Sequence, residues 1–281
     1  MVIGVLALQG AFIEHVGRFR ELGVDVLEVR TAEQLSHCAG IVLPGGESTA
    51  IALAAERCGL LEPLRAWVRA GRPVWGTCAG LILVAERAEG QKAGGQALVG
   101  GLDVTVSRNF FGAQSQSFES LLDIESAGAP AALAKLLANI HSFTGVFIRA
   151  PAILSCGGGV APLAFIERAG ERVCVAAANE HILATAFHPE LTPDTAWHRV
   201  FARLVEAHTG ALARTLGAVP AVSPIASGDS PGNFSPAVAS VESAACMPTS
   251  FDQDAATSGN ASMLQIARRL VPDTNPMQGR R

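Results

Sequence analysis

The chain has 281 residues, 49% of them hydrophobic and 16% charged, with a formal net charge of −4. That apolar content suffices for one large core, or one core plus a tail. The slight negative balance, with no Lys/Arg cluster interleaved with aromatics, excludes a nucleic-acid footprint. The cysteines, at positions 38, 58, 78, 156, 174 and 246, show no C-x-x-C pair and no zinc-like spacing. Neither a metal site nor a disulfide framework is indicated, and reduced thiols in a cytoplasm fit best.

Taken in chain order, the first apolar run, Val2 to Leu8, has no Lys or Arg before it and meets Glu14, Arg18 and Arg20 soon after. It reads as a β-strand rather than a signal peptide. No window of about eighteen uninterrupted apolar residues occurs, so no membrane-spanning helix and no membrane partner are expected. Up to about residue 87, the runs Val2 to Leu8, Val24 to Val29, Gly40 to Leu43 and Pro73 to Trp75 alternate with helical stretches. Phe12, Val16 and Phe19 recur at helical spacing before Gly23, Ser48 is placed to cap a helix through Cys58, and Leu81 to Glu86 reads as a helix after Cys78. Alternating strands and helices predict an α/β fold, a three-layer sandwich with a mostly parallel central sheet covered on both faces. Such sheets put their sites at the C-terminal strand ends, which brings Gln9-Gly10, Gly45-Gly46-Glu47-Ser48 and Cys78 to one edge.

Between about 98 and 187 the strand-like runs shorten: Leu102 to Val106, Val146 to Ile148, Ala164 to Ile166, Val173 to Ala177 and Ile182 to Phe187. A partly antiparallel extension of the sheet is expected, interrupted by an insertion at 126–142 with a surface helix over Ala131 to Ile140. After Thr192-Pro193, a cap and a first-turn proline, one helix presents Ala196, Trp197, Val200, Phe201, Leu204 and Val205 on one face and closes the domain near His208. A domain of 1–210 results. Residues 211–281 are rich in Pro and Ser and nearly free of aromatics, which predicts a disordered C-terminal tail. Within it Met263, Ile266, Ala267 and Leu270 fall at helical spacing, as a transient helix.

Cys78 lies in Gly76-Thr77-Cys78-Ala79-Gly80, at a predicted strand-to-helix junction. An isolated Cys is most often a small buried hydrophobe. Small flanking residues on a strained turn, with the positive end of a helix behind the thiol, are instead what a nucleophile elbow requires. A cysteine nucleophile needs a base and an orienter for that base. His188 ends an apolar run and is followed by Pro189-Glu190, so residues i and i+2 project to one side and the Glu190 carboxylate can reach one imidazole nitrogen. The order Cys, His, Glu differs from the α/β-hydrolases, where the acid precedes the histidine. His15, His37, His141, His181, His198 and His208 lack a partnered acid at similar spacing and read as surface or packing residues. The Gly45-Gly46-Glu47-Ser48 loop has no P-loop lysine; an oxyanion role, with N–H groups of Gly46 and Ala79 converging, fits better, and is compatible with a tight strand-to-helix turn capped by Ser48.

Together the elbow, the GGES loop and Phe187-His188-Pro189-Glu190 resemble the class I triad glutamine amidotransferases, which have a flavodoxin-like fold. More narrowly, Ala7-Leu8-Gln9-Gly10-Ala11, Pro44 to Thr49, Ser107-Arg108-Asn109 and Gly145 to Pro151 are similar to the glutaminase subunits of pyridoxal 5′-phosphate synthase. The resemblance covers about residues 1–208. It implies hydrolysis of L-glutamine to glutamate and ammonia through a glutamyl thioester, without metal or cofactor, and ammonia delivery through a channel to a separate synthase subunit in a hetero-oligomer. It further implies Cys78 as nucleophile, His188 as general base and acid and Glu190 as its orienter, with Gly46, Glu47, Ser48, Arg108, Ile148 and Arg149 binding glutamine. Gln9-Gly10, on the site edge, is expected to help form the partner interface. Phe110 departs from the family pattern and either narrows the pocket or packs beside it. Another Cys-triad amidotransferase or peptidase on the same fold, and a non-catalytic binding protein, remain alternatives.

Overall fold

The computed structural model describes residues 1–90, 95–112, 117–140 and 142–217. Most of the predicted 211–281 tail, with its Met263 to Leu270 stretch, lies outside them, as does His141. The amino-terminal half alternates as expected: β1 (Val2–Leu6), α1 (Phe12–Glu21), β2 (Asp25–Val29), α2 (Ala32–Ser36), β3 (Gly40–Leu43), α3 (Ser48–Arg57), α4 (Leu61–Arg69), β4 (Val74–Thr77) and α5 (Ala79–Val84). There follow β5 (Ala85–Glu89), β6 (Leu102–Ser107), β7 (Phe118–Leu121), β8 (Asp123–Ile124), α6 (Ala131–Leu137), β9 (Thr144–Phe147), β10 (Ala152–Cys156), β11 (Ala161–Arg168), β12 (Glu171–Ala178), β13 (Ile182–Thr185) and α7 (Ala196–Gly217).

The main sheet runs β2-β1-β3-β4-β13-β12-β10-β6-β5, with β11 added at β12 and β8 paired to β11. Its first five strands are parallel, and β12, β10 and β6 continue by antiparallel pairing. The two faces follow from the strand alternation of β4. Trp75 packs with Phe19 of α1 and Phe201 of α7. Gly76 instead backs onto Gly80 and Leu81 of α5. Because β1, β3, β4 and β13 share one direction, the loops after all four open on the same edge.

Several boundaries differ from the sequence reading for identifiable reasons. α3 is capped by Glu47 rather than Ser48, the Glu47 carboxylate accepting from the N–H groups of Thr49 and Ala50. α5 ends at Val84, and Ala85 and Glu86, expected to be helical, begin β5 because β6 offers a parallel partner. Thr192 does not open the last helix; its hydroxyl donates to Pro189 O across a 3-10 turn at Pro189–Leu191, and α7 starts at Ala196, whose N–H donates to the Asp194 carboxylate. α7 then runs beyond His208 to Gly217.

The expected surface helix is α6, shorter than expected and anchored: Leu133 and Leu137 are buried, and the helix packs against α7. It stands between β7 and β9, which pair antiparallel in a separate two-stranded sheet. Phe118 and Phe147 stack across that pair, ring centroids 4.8 Å apart. Among the described residues no helix is long and apolar enough to cross a membrane. Leu137→Ala, which deletes most of a fully buried side chain, is expected to cost about 2–4 kcal/mol of unfolding free energy in denaturant titration, and a cost within 0.5 kcal/mol, roughly the range of surface substitutions, would mean that α6 is not docked.

Candidate active site

Thr77 and Thr185 are register partners on adjacent parallel strands β4 and β13. The two chains therefore leave the sheet side by side, Cys78 directly after one and His188 three residues after the other. Cys78 adopts φ 48°, ψ −100°, a region an L-residue enters at a cost of roughly 1–3 kcal/mol. Surrounding structure enforces it. Cys78 N–H donates to Thr185 O at 2.8 Å, and a methyl on Gly76 or Gly80 would collide with Gly80 O at 2.4 Å or Leu43 O at 1.9 Å. The turn can be this tight only because Gly76 and Gly80, two residues to either side, lack side chains.

The structure brings His188 and Glu190 against this elbow. His188 Nδ1 is 2.7 Å from Glu190 Oε1, and both side chains are buried. The His188 N–H donates to Val146 O of β9 at 2.8 Å. Burial by itself would depress the His188 pKa, but Cys78 and Glu190 reverse this and hold it well above the ordinary histidine value. Burial would likewise raise the Glu190 pKa, and the flanking His15 and His188 keep it below the usual carboxylate range. A charged imidazole between a carboxylate and a sulfur is thereby favoured, the electrostatic arrangement that activates a thiol.

The predicted substrate residues divide. A methyl on Gly45 would sit 2.4 Å from His188 Cε1 and 3.3 Å from Cys78 Cβ, so the GGES loop lies directly against both. Gln9 Oε1 accepts from the Glu47 N–H at 3.0 Å and braces that loop from the turn after β1. Ile148 is buried with its carbonyl 3.9 Å from Cys78 Sγ. Arg108 reaches the Glu47 carboxylate at 3.2 Å and Thr49 Oγ1 at 3.4 Å, and its buried Nε has no partner. Ser48, instead of capping, donates from its hydroxyl to Gln96 Oε1 at 2.9 Å. Arg149 is exposed, with φ 46°. Phe110 packs edge-on against Phe111 and lines a cavity of about 310 Å³ with Arg168 and Glu171, which contains no residue of the Cys78 cluster.

With this geometry in view, residues 5–207 match the model of the SNO glutamine amidotransferase family. The chain belongs to that family. It is 48% identical over 208 residues to a pyridoxal 5′-phosphate synthase subunit PdxT of Parafrankia sp. (strain EAN1pec), covering 74% of this chain and 95% of that one. It is 45% identical over 230 residues to the probable pyridoxal 5′-phosphate synthase subunit PDX2 of Arabidopsis thaliana, covering 73% and 86%. A solved structure described as a glutamine amidotransferase is similar at 38% identity and TM-score 0.63, over 73% of this chain and all of that one. At 17% identity and TM-score 0.53, over 75% of this chain and 97% of that one, a putative GMP synthase subunit from Thermoplasma acidophilum shares the fold alone.

This SNO family member also holds residues that the sequence reading set aside. His15 and His198, read as surface or packing side chains, are fully buried, and His15 Nε2 lies 3.3 Å from Glu190 Oε2. The signal was present: each histidine falls on the apolar face of its helix, His15 between Phe12 and Phe19 and His198 beside Trp197 and Phe201. Among the described residues no cluster of three or more His, Cys, Asp and Glu side chains could hold a metal ion.

Burial lowers the His15 pKa to about 4 from 6.5, and burial, with His15 next in weight, drives that of His198 well below its ordinary value. The unfolded chain then binds more protons than the folded one between about pH 4 and 6.5, so stability is lost as pH falls through that window. Glu190, with its lowered folded pKa, adds to the loss below its ordinary value of 4.5. The His188 contribution has the opposite sense, being complete below 6.5 and lost only as pH rises through its elevated folded value. The thermal midpoint is expected to fall steadily from about pH 6.5 to about pH 4.5, each buried neutral imidazole adding up to roughly 1.4 kcal/mol per pH unit; a flat midpoint across that range would contradict the buried neutral pair. Gly45→Ala is expected to push His188 off its position and slow alkylation of Cys78 near neutral pH by about tenfold or more, read by mass spectrometry at that residue.

Proposed function

We propose that this protein is the glutaminase subunit of a pyridoxal 5′-phosphate synthase: it hydrolyses L-glutamine to L-glutamate and ammonia and passes the ammonia to a synthase subunit for vitamin B6 synthesis. The observation that carries this reading is the strained Cys78 elbow set against the buried His188–Glu190 pair in a chain of the SNO glutamine amidotransferase family. The names of its relatives support the synthase as partner.

In this mechanism the Cys78 thiolate attacks the side-chain carboxamide carbon of glutamine, with His188 protonated. The resulting oxyanion is met by the N–H groups of Gly46 and of Ala79, the first residue of α5, whose N–H has no partner within its own helix. Collapse of the tetrahedral adduct breaks the C–N bond, and the imidazolium gives its proton to the leaving nitrogen, releasing ammonia and leaving a glutamyl thioester. Neutral His188 then takes a proton from water as the water attacks the thioester, and a second collapse returns the thiolate and frees glutamate. Glu190 accepts the Nδ1–H throughout, which fixes the tautomer that leaves Nε2 for the chemistry. Gly46, Glu47, Ser48, Arg108, Ile148 and Arg149 bind glutamine, an arginine suiting its α-carboxylate.

The domain for this chemistry is 1–210, a reading supported by a family match that ends at residue 207. The segment at 126–142 is an insertion; the boundary at 210 falls within α7, which continues to Gly217. A cytoplasmic location is part of the same reading; Cys38, Cys78, Cys156 and Cys174 are free thiols, but Cys58 is disulfide-bonded, against the expectation of reduced thiols throughout.

The test is glutamate release by the full chain mixed with its cognate synthase subunit. Cys78→Ala is expected to reduce release by about three orders of magnitude or more; undiminished turnover would remove Cys78 from the reaction. Cleavage of peptides in preference to glutamine would favour the peptidase alternative. Gln9→Ala is expected to lower synthase-stimulated release through loosening of the Gly46–Glu47 loop, and unchanged stimulation and binding would place the interface elsewhere.

A further inference from the structure

Glu190 meets a second histidine on its far side. Its Oε2 makes no hydrogen bond of good geometry, yet His15 Nε2 stands 3.3 Å away with both side chains fully buried. The same Nε2 is 3.1 Å from Thr77 Oγ1, the residue before Cys78. At the other side of the ring, His15 Nδ1 is 2.9 Å from His198 Nε2. His198 Nδ1 is buried without a partner.

These contacts select one arrangement of protons. Two imidazole nitrogens at hydrogen-bond distance share one proton, so one ring donates and the other accepts. If His15 donated from Nδ1, its bare Nε2 lone pair would face the Glu190 carboxylate and His198 would bury an unpaired Nδ1–H, both costly. If His198 donates from Nε2, His15 carries its proton on Nε2, aimed between Glu190 Oε2 and Thr77 Oγ1, and only a lone pair on His198 goes without a partner.

We propose that His15, fixed by His198 as the Nε2–H tautomer, is a positioning residue that holds Glu190 Oε2 and the Thr77 end of the nucleophile elbow in one frame. Glu190 is then oriented from two sides, with Oε1 committed to His188 and Oε2 to His15. The inference rests on the triad reading above. Both histidines are driven toward neutrality by burial, as a one-proton chain between them requires. The charged and titratable groups around them are Glu14 and Arg18 on α1, Cys78 at the elbow, and His188 and Glu190 beyond β13. Arg18 donates from Nε to Glu190 O at 3.2 Å. Burial, more than the opposing backbone hydrogen bond, raises the Glu14 pKa above its ordinary value.

Two experiments on the full chain test this. Nitrogen-15 spectra of the histidines in the unaltered protein near neutral pH are expected to show His15 and His198 both neutral with the proton on Nε2; an Nδ1–H tautomer or an imidazolium at His15 would overturn the proposal. The pH profile of Cys78 alkylation by iodoacetamide reads the stability of the thiolate–imidazolium pair. His15→Leu is expected to move its inflection upward by about one unit and to lower kcat for glutamate release about tenfold or more, whereas His15→Gln, which can place an N–H near the same point, retains most of both. A folded His15→Leu protein with unchanged inflection and kcat would refute the role; if that variant does not fold, the tautomers of the unaltered protein decide. Alkylation needs no glutamine, so a protein that shows the shift yet releases no glutamate sinks the glutaminase reading and leaves the positioning role intact.

Discussion

The parallel pairing of β4 with β13 is the constraint on which the site depends. Thr77 and Thr185 end the two strands in register, and the Cys78 N–H is tied to the Thr185 carbonyl at 2.8 Å. Two segments about one hundred residues apart in sequence thus leave the sheet about one strand spacing apart. The unfavourable Cys78 backbone conformation persists because this pairing, the bare Gly76 and Gly80 and the buried α5 leave no relaxed alternative. Strain of that kind at the end of a rigid strand holds the thiol on one trajectory, which a flexible loop would not do.

Once the strand ends are placed, charge organises the rest. Glu190 is buried with its ionised form favoured, and an isolated carboxylate there would simply take up a proton. It avoids that because imidazoles face it from two directions, His188 from beyond β13 and His15 from α1. His15 is in turn backed by His198 on α7. The helix layer over one face of the sheet is therefore part of the electrostatic construction of the site as well as part of the core. The edge-on contacts of Trp75 with His15 and His198 show how closely the two are merged.

The other wall comes from the irregular part of the chain. β9 accepts the His188 N–H through Val146 O and brings Ile148 to the sulfur. Its own position depends on β7 and on the Phe111, Phe118, Phe147 and Phe187 rings that pack around it. Arg108, Glu47 and the amino terminus of α3 form a connected polar run. The side chains expected to meet substrate are thus already organised by one another.

Much of this was legible in the residues. Apolar runs of strand length separated by helical periodicity carry the parallel half of the sheet, because buried strands and amphipathic helices have different repeats. Local chemistry likewise carried the elbow at Cys78 and the i, i+2 relation of His188 and Glu190. What stayed hidden was what depends on partners distant in sequence. Ala85 and Glu86 become strand only because β6 lies beside them, Ser48 leaves the cap to Glu47 while its hydroxyl donates to the distant Gln96, and β7 and β9 find each other across α6. His15 and His198 looked like ordinary helix residues for the same reason: a histidine on an apolar helix face has no meaning until the fold decides what it faces. By itself the sequence determined which residues carry the chemistry, since nucleophile, base and acid are set by type and local spacing. Only the tertiary structure decided how they are held, since the burial and hydrogen-bond partners that fix a carboxylate and choose a tautomer come from strands and helices that meet only when the chain is folded.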